Sequence, residues 1–165
     1  MVKIKGLKAF RPQKELCEKI ASKPYDVLNS KEARKEAKGN PHSFLHVVKS
    51  EIDLPKDIDP YDERVYQKAA ENLEKMKQEG WLIQEEQEAL YLYRQIMDGH
   101  EQYGLVVDAS VQDYLQGKIK IHELTREKKE KDRIKHVKTT NANTGPVFLT
   151  YRAKNTIDKL VDEVA

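Results

Sequence analysis

An α+β fold, with a mixed or antiparallel sheet and peripheral helices, is what this 165-residue sequence predicts. Three observations carry that prediction. Strand-like and helix-like segments intermix without the regular strand–helix–strand alternation of a parallel sheet. Asp98-Gly99 separates two apolar, β-prone runs and is a strong two-residue hairpin signal. Tyr61 to Glu79 carries Val65, Ala69, Leu73 and Met76 on one face at helical spacing, with Gly80 placed to end the helix.

The elements follow in order. Val2 to Phe10 reads as a strand closed by Arg11-Pro12, and Glu15 to Ala21 as a short helix stopped by Pro24. Ser30 is placed to cap a helix through Lys38, and Gly39-Asn40-Pro41 ends it. Ser43 to Val48 reads as a buried strand carrying His46, and the acidic, two-proline stretch Glu51 to Pro60 as a loop. Ala89 to Met97 and Tyr103 to Ala109 form the hairpin strands, and Ser110 with Asp113 caps Val111 to Gln116. Lys118 to Ile121 is extended. A charged helix follows, then Gly145-Pro146 and a strand from Val147 to Tyr151. Asn155 to Val164, with Ile157, Leu160, Val161 and Val164, is a final amphipathic helix.

Composition excludes several classes. Hydrophobic residues are 38% and charged residues 35%, which is polar for a globular chain but outside the disordered range. The 30 basic and 28 acidic residues leave +2, so no global field favours nucleic acid or a membrane surface. A single cysteine, Cys17, rules out an internal disulfide or a cysteine-based zinc site. There is no apolar leader or membrane-length run, and a cytoplasmic protein is expected.

The charge is uneven. Lys118 to Lys138 holds nine basic and four acidic residues, about +5. Read as one helix, His122, Arg126, Lys129, Arg133 and His136 fall at steps of four, three, four and three, along one face. From Thr125 to Thr140 the only sizeable apolar residues are Ile134 and Val137, so a broad oily face does not hold this helix. An anionic ligand, an acidic partner surface or plain solvent would each account for the stripe. Arg guanidinium forks and Lys ammoniums suit phosphate oxygens, and His122, His136 and Glu123 could orient a hydroxyl or a phosphate. His122-Glu123 is not a zinc-protease signature, because Arg126 stands where the second histidine is required.

Three further groups are candidates. Asn141, Asn143, Thr144 and Gly145 follow the charged helix and serve equally as an anion-binding turn or as its C-terminal cap. Pro24 could present Tyr25 to a ring and Asp26 to a hydroxyl, or simply make a turn. His46 in an apolar strand is, taken alone, more often a hydrogen-bonded core histidine than a ligand. No phosphate loop, dinucleotide glycine pattern or nucleophile elbow is present.

Lys3 to Phe10, Pro24-Tyr25-Asp26-Val27-Leu28, Gly39-Asn40-Pro41 through Ser43 to Val47, Asp59-Pro60-Tyr61, Tyr93-Arg94-Gln95, His122 to Arg126 with Lys129, Asp132-Arg133 and His136, and Asn141 to Tyr151 together resemble the domain-of-unknown-function family 1015. The match runs in order along nearly the whole chain. It implies a cytosolic bacterial or archaeal protein. Some members look like free L-serine kinases that use ATP or ADP, with or without magnesium, and yield O-phosphoserine. They are distantly similar to ParB and sulfiredoxin folds. On that resemblance His122, Glu123, Arg126, Arg133 and His136 would be catalytic. Tyr25, Asp26, His46, Lys129, Asn141, Asn143, Thr144 and Gly145 would bind nucleotide or a small amino-acid substrate. Neither a membrane nor nucleic acid is expected as a partner; the aromatics that single strands stack upon are missing near Lys118 to Lys138.

Two departures qualify the resemblance. Lys23 replaces a usual proline. A later Asp-Gly-His-His-Arg segment is absent, and Asp98-Gly99-His100, followed by Glu101-Gln102, does not replace it. The expectation is therefore a single amino-terminal region, residues 1–165, of a longer protein whose remaining part would complete the phosphoryl-transfer module. The alternative is a structural or binding lobe without catalysis of its own.

Overall fold

The computed structural model describes residues 2–122 and 124–165. In chain order its elements are β1 (Ile4–Lys5), β2 (Phe10–Pro12), α1 (Cys17–Ile20), α2 (Ser30–Glu36), α3 (Leu45–Val48), α4 (Glu63–Gln78), β3 (Leu82–Gln84), β4 (Tyr91–Met97), β5 (His100–Val106), β6 (Asp108–Ala109), α5 (Val111–Leu115), α6 (Glu127–Thr140) and α7 (Asn155–Val164). The fold is α+β. Among the described residues its strands form three two-stranded antiparallel ribbons, β1–β6, β2–β3 and β4–β5, rather than one sheet. No helix among them is long and apolar enough to cross a membrane.

The chain forms two compact units. One comprises Met1–Ala9, Glu85–Glu123 and Pro146–Ala165; the other comprises Phe10–Gln84 and Leu124–Gly145. In the first, β4 and β5 are joined by Asp98-Gly99, both with positive φ (51° and 79°), as a type I′ hairpin turn requires. β5 starts at His100, three residues earlier than the sequence pattern suggests, because the tight turn lets pairing begin at once with Met97 opposite His100. The long amino-terminal strand is interrupted instead. Gly6 passes so close to Ala89 that an added Cβ would lie 3.0 Å from its backbone nitrogen, and Leu7 makes an isolated bridge to Ala89. Ser110 caps α5, as expected, by accepting from the Asp113 backbone N–H at 3.2 Å. The Asp113 carboxylate accepts from the Lys3 backbone N–H at 2.7 Å and from Lys118 at 2.6 Å. Val147 to Tyr151 is not a strand; Val147 and Phe148 are about four-fifths exposed, and among the described residues no strand pairs with this segment.

The second unit is helical apart from the β2–β3 ribbon. Asp62 caps α4 by accepting from the Arg64 backbone N–H at 2.9 Å, and Gly80 (φ 68°) ends it. Its buried face is Val65, Tyr66, Ala69, Leu73 and Met76. Leu73 and Met76 pack with Ile20, Val47 and Leu82 in one core cluster, while Ala33, Ala37, Leu45 and Ile52 form another. The cap of α2 is Asn29, one residue before the expected Ser30. Asn29 Oδ1 accepts from the N–H groups of Lys31 and Glu32, and the Glu32 carboxylate accepts from the Asn29 N–H at 2.9 Å, a reciprocal capping box. Ser30 is used elsewhere, donating to Glu51 at 2.8 Å.

The expected strand at Ser43 to Val48 is a helical turn, α3. Leu45 and Val47 are fully buried in the two different clusters, so the segment is covered on opposite sides. A short run buried all round has no period that separates strand from helix. The turn at Asn40 starts the helical hydrogen bonding, with the Ser43 N–H donating to the Asn40 carbonyl and the His46 N–H to that of Ser43.

Candidate functional site

The charged helix α6 begins at Glu127, with Arg126 as its N-cap. His122 precedes it and belongs to the first compact unit, whereas Arg126, Lys129, Arg133 and His136 belong to the second. The five-residue stripe is therefore not one helical face. Glu123 lies outside the described residues. His136 also leaves the stripe: it is 4% exposed and turned inward.

What holds α6 down is polar. Asp132, His136 and Thr140 recur every fourth residue and are all buried, while the apolar Ile134 and Val137 are exposed. The Asp132 carboxylate accepts from the Tyr66 hydroxyl at 2.7 Å and from Arg133 Nε and Nη2 at 3.0 and 2.8 Å. His136 Nε2–H donates to the Val47 carbonyl at 3.1 Å, and the Thr144 hydroxyl reaches Nδ1 at 3.4 Å. Thr140 Oγ1 donates to the His136 carbonyl at 2.8 Å. Burial pushes the Tyr66 phenol upward, and the Asp132 carboxylate adds to that shift. Burial likewise lowers the His136 pKa against the opposing bond to Val47, which favours the neutral imidazole.

Three cations of α6 lie against the rings of Tyr25 and Tyr61. The Arg133 guanidinium lies 4.1 Å from the centre of the Tyr25 ring. Lys128 and Lys129 lie 4.2 and 5.9 Å from that of Tyr61. Asp26, beside Tyr25, is exposed. Arg133 is half-buried, whereas Arg126, Lys128 and Lys129 are exposed. Tyr61 and Lys128 were not evident as site residues, although Asp59-Pro60-Tyr61 is a proline-fixed loop of the same kind as Pro24-Tyr25-Asp26. Downstream, Asn141 (φ 49°) is the left-handed residue that ends α6, which is its capping role. Thr144 supports His136, and Asn143 and Gly145 are exposed.

His46 builds a second constellation, on α3 rather than on a strand. Its Nδ1–H donates to both Asp53 carboxylate oxygens at 2.8 and 3.0 Å, and Nε2 meets the Asn40 carbonyl at 3.1 Å. Both ring nitrogens face pure acceptors, so the ring is satisfied only as an imidazolium. The bond to Asp53 raises the His46 pKa, with burial opposing. For Asp53, burial works upward, but the bonds from His46 and from Asn72 (2.8 Å) hold the carboxyl below its ordinary value. Asn72 also donates to the His46 carbonyl at 2.7 Å. These residues open on a cleft of about 290 Å³ that Lys68, Lys75, Met76 and Trp81 complete. The His42 ring packs at a tilt of 48° against Trp81, with ring centres 4.3 Å apart.

The two histidines give the second unit opposite pH dependences. His46 has a raised folded pKa, so its contribution to stability is complete below the unfolded value of about 6.5 and is lost as pH rises through the folded value. His136 has a lowered one, so its contribution is complete above about 6.5 and is lost as pH falls towards the folded value. Urea unfolding between pH 5 and 8, followed by Trp81 fluorescence, should give a stability maximum. His46→Gln should flatten the alkaline limb and His136→Gln the acid limb; unchanged limbs would contradict the assignment.

No curated protein and no solved structure matches the chain. A family profile does, and the family is described as "Protein of unknown function (DUF1015)". The match runs over residues 4–165 and so takes in Tyr25, Tyr61, the whole of α6 and the His46 cleft. By that match this chain, whose second unit is anchored on a buried Asp132–His136–Thr140 row, belongs to the DUF1015 family.

Proposed function

We propose that this chain supplies the phosphate-binding surface of a phosphoryl-transfer module resembling a free L-serine kinase, with ATP or ADP as donor and O-phosphoserine as product. The observation that carries the reading is the gathering of Arg133, Lys128 and Lys129 on the Tyr25 and Tyr61 rings. Planar and point cations beside aromatic faces suit a ligand that joins a phosphate chain to a flat base. Arg126 and Lys129 would neutralise the phosphates, Arg133 would orient them while anchored by Asp132, and Tyr25 or Tyr61 would meet the base. Asp26 is the exposed carboxylate next to Tyr25 that would hold a magnesium ion carried on those phosphates. In such a transfer the protein's main contribution is positioning and charge stabilisation.

A second reading, a structural lobe without chemistry of its own, is favoured by the inward turn of His136 and by the Asp132–Arg133 pair. Isothermal titration with ADP, ATP and O-phosphoserine separates the two. The proposal expects saturable nucleotide binding that Arg126→Ala with Lys129→Ala weakens at least about 10-fold, the loss of charge-assisted contacts, with the circular dichroism unchanged. Full affinity in that double variant would remove the cation cluster from the argument, and no binding by the wild type would favour the structural lobe.

A further inference from the structure

The cleft beside His46 is separate from the cation cluster and has a chemistry of its own. Lys68, Asn72 and Lys75 are spaced i, i+4 and i+7 and share one face of α4. Glu63 and Tyr66, which meet α6 through Lys135 and Asp132, lie on another face. Three cations therefore border one opening: Lys68, Lys75 and the His46 imidazolium. The only carboxylate among the lining residues is Asp53, and its oxygens are already engaged by His46 and Asn72. Lys68 also contacts Glu71 at 3.2 Å, on the exposed side of α4. Asp53 balances His46 and Glu71 balances Lys68, so the opening keeps one net positive charge and two ammonium donors, Lys68 and Lys75. Trp81, Met76 and Pro41 supply the apolar wall. His42 and Lys75, the latter 5.6 Å from the ring centre, flank the indole and fix its position. A volume of about 290 Å³ lies at the small end for ligand sites, so the occupant is compact.

We propose that this cleft binds a small organic phosphate monoester, its dianionic head between Lys68 and Lys75 and its apolar body against Trp81 and Met76. Two lysine ammoniums at one opening suit a phosphate, whose three terminal oxygens can accept from both, better than a carboxylate with one charge. The role of His46 is to neutralise the Asp53 carboxylate at the mouth; its own N–H groups are spent on Asp53 and Asn40.

Trp81 is the sole tryptophan of the chain and reports directly on this wall. Its fluorescence should be titrated in the full chain with phenyl phosphate, inorganic phosphate and benzoate. Phenyl phosphate should give a saturable change, inorganic phosphate should compete with it, and benzoate should bind more weakly. Lys75→Ala and Lys68→Ala should each raise the half-saturating concentration about 10-fold, as loss of one charge-assisted contact implies. Lys75→Glu should abolish the response. Arg126→Ala with Lys129→Ala should leave it unchanged, so failure here and failure of the proposed nucleotide surface are distinguishable. A linear response, equal binding of benzoate, or wild-type titrations in both lysine variants would overturn the proposal.

Discussion

Asp132→Ala is expected to destabilise the second unit by about 2–3 kcal/mol, the upper part of the range for leaving a buried hydroxyl unsatisfied while a half-buried cation loses its partner. The Asp132 carboxylate is 8% exposed and accepts three hydrogen bonds. Its loss leaves the Tyr66 hydroxyl, on a residue 3% exposed, and the half-buried Arg133 guanidinium without their acceptor. The same change frees α6 from α4, because Tyr66 belongs to α4. Asp132→Asn keeps an acceptor for Tyr66 but loses the charge opposite Arg133, and should cost about 1–2 kcal/mol. Urea unfolding followed at Trp81, which lies in the same unit, measures both. An Asp132→Ala midpoint equal to wild type would mean that α6 is held by something other than its polar row.

That row explains why the helix was legible and its purpose was not. A charge-rich segment from Thr125 to Thr140 with two sizeable apolar residues suggests an outward-facing helix serving its cations. Yet Asp132, His136 and Thr140 also repeat at i, i+4 and i+8, and polar side chains can be a buried face when each finds a partner. Those partners, the Tyr66 hydroxyl and the Val47 carbonyl, are 66 and 89 residues away, and no local pattern names them. The stripe that was read instead joined His122 to α6 across a start that Arg126 sets four residues later.

Elsewhere most local signals that depend on neighbouring residues were sound, although α2 is capped by Asn29 and not by Ser30. Asp98-Gly99 makes the hairpin, Ser110 caps α5, and the Val65–Met76 face of α4 is buried as its period indicates. Signals that depend on tertiary cover were not. α3 looked like a strand because Leu45 and Val47 are buried from two sides, and Val147 to Tyr151 looked like one although its side chains are exposed. The basic cluster was visible in Arg126, Lys129, Arg133 and Tyr25, whereas the cleft was visible only in His46. The Lys68–Asn72–Lys75 spacing was its available signal, masked by the many other charges on α4.

Arg34→Ala is expected to cost about 3 kcal/mol and to act at a distance on the His46 cleft, since hydrogen bonds from a charged donor contribute about 1.5–3 kcal/mol each. From α2 the Arg34 guanidinium donates to the Ile52 carbonyl through Nη1. Through Nη2 it donates to the carbonyls of Glu51 at 2.5 Å and Leu54 at 2.8 Å. One planar fork thus collects backbone acceptors of the turn that carries Asp53. Asp53 in turn holds His46 charged. Without Arg34 the turn loses its donor, Asp53 moves relative to α3, and the His46 pKa should relax towards the ordinary histidine value. Arg34→Lys offers one ammonium, which does not span carbonyls that two nitrogens reach, and should recover less than half of the loss. Urea unfolding gives the stability change, and an NMR titration of the His46 ring gives the second readout. A lysine variant as stable as wild type, or a His46 titration unmoved in Arg34→Ala, would break the chain of cause from α2 through the turn to the cleft.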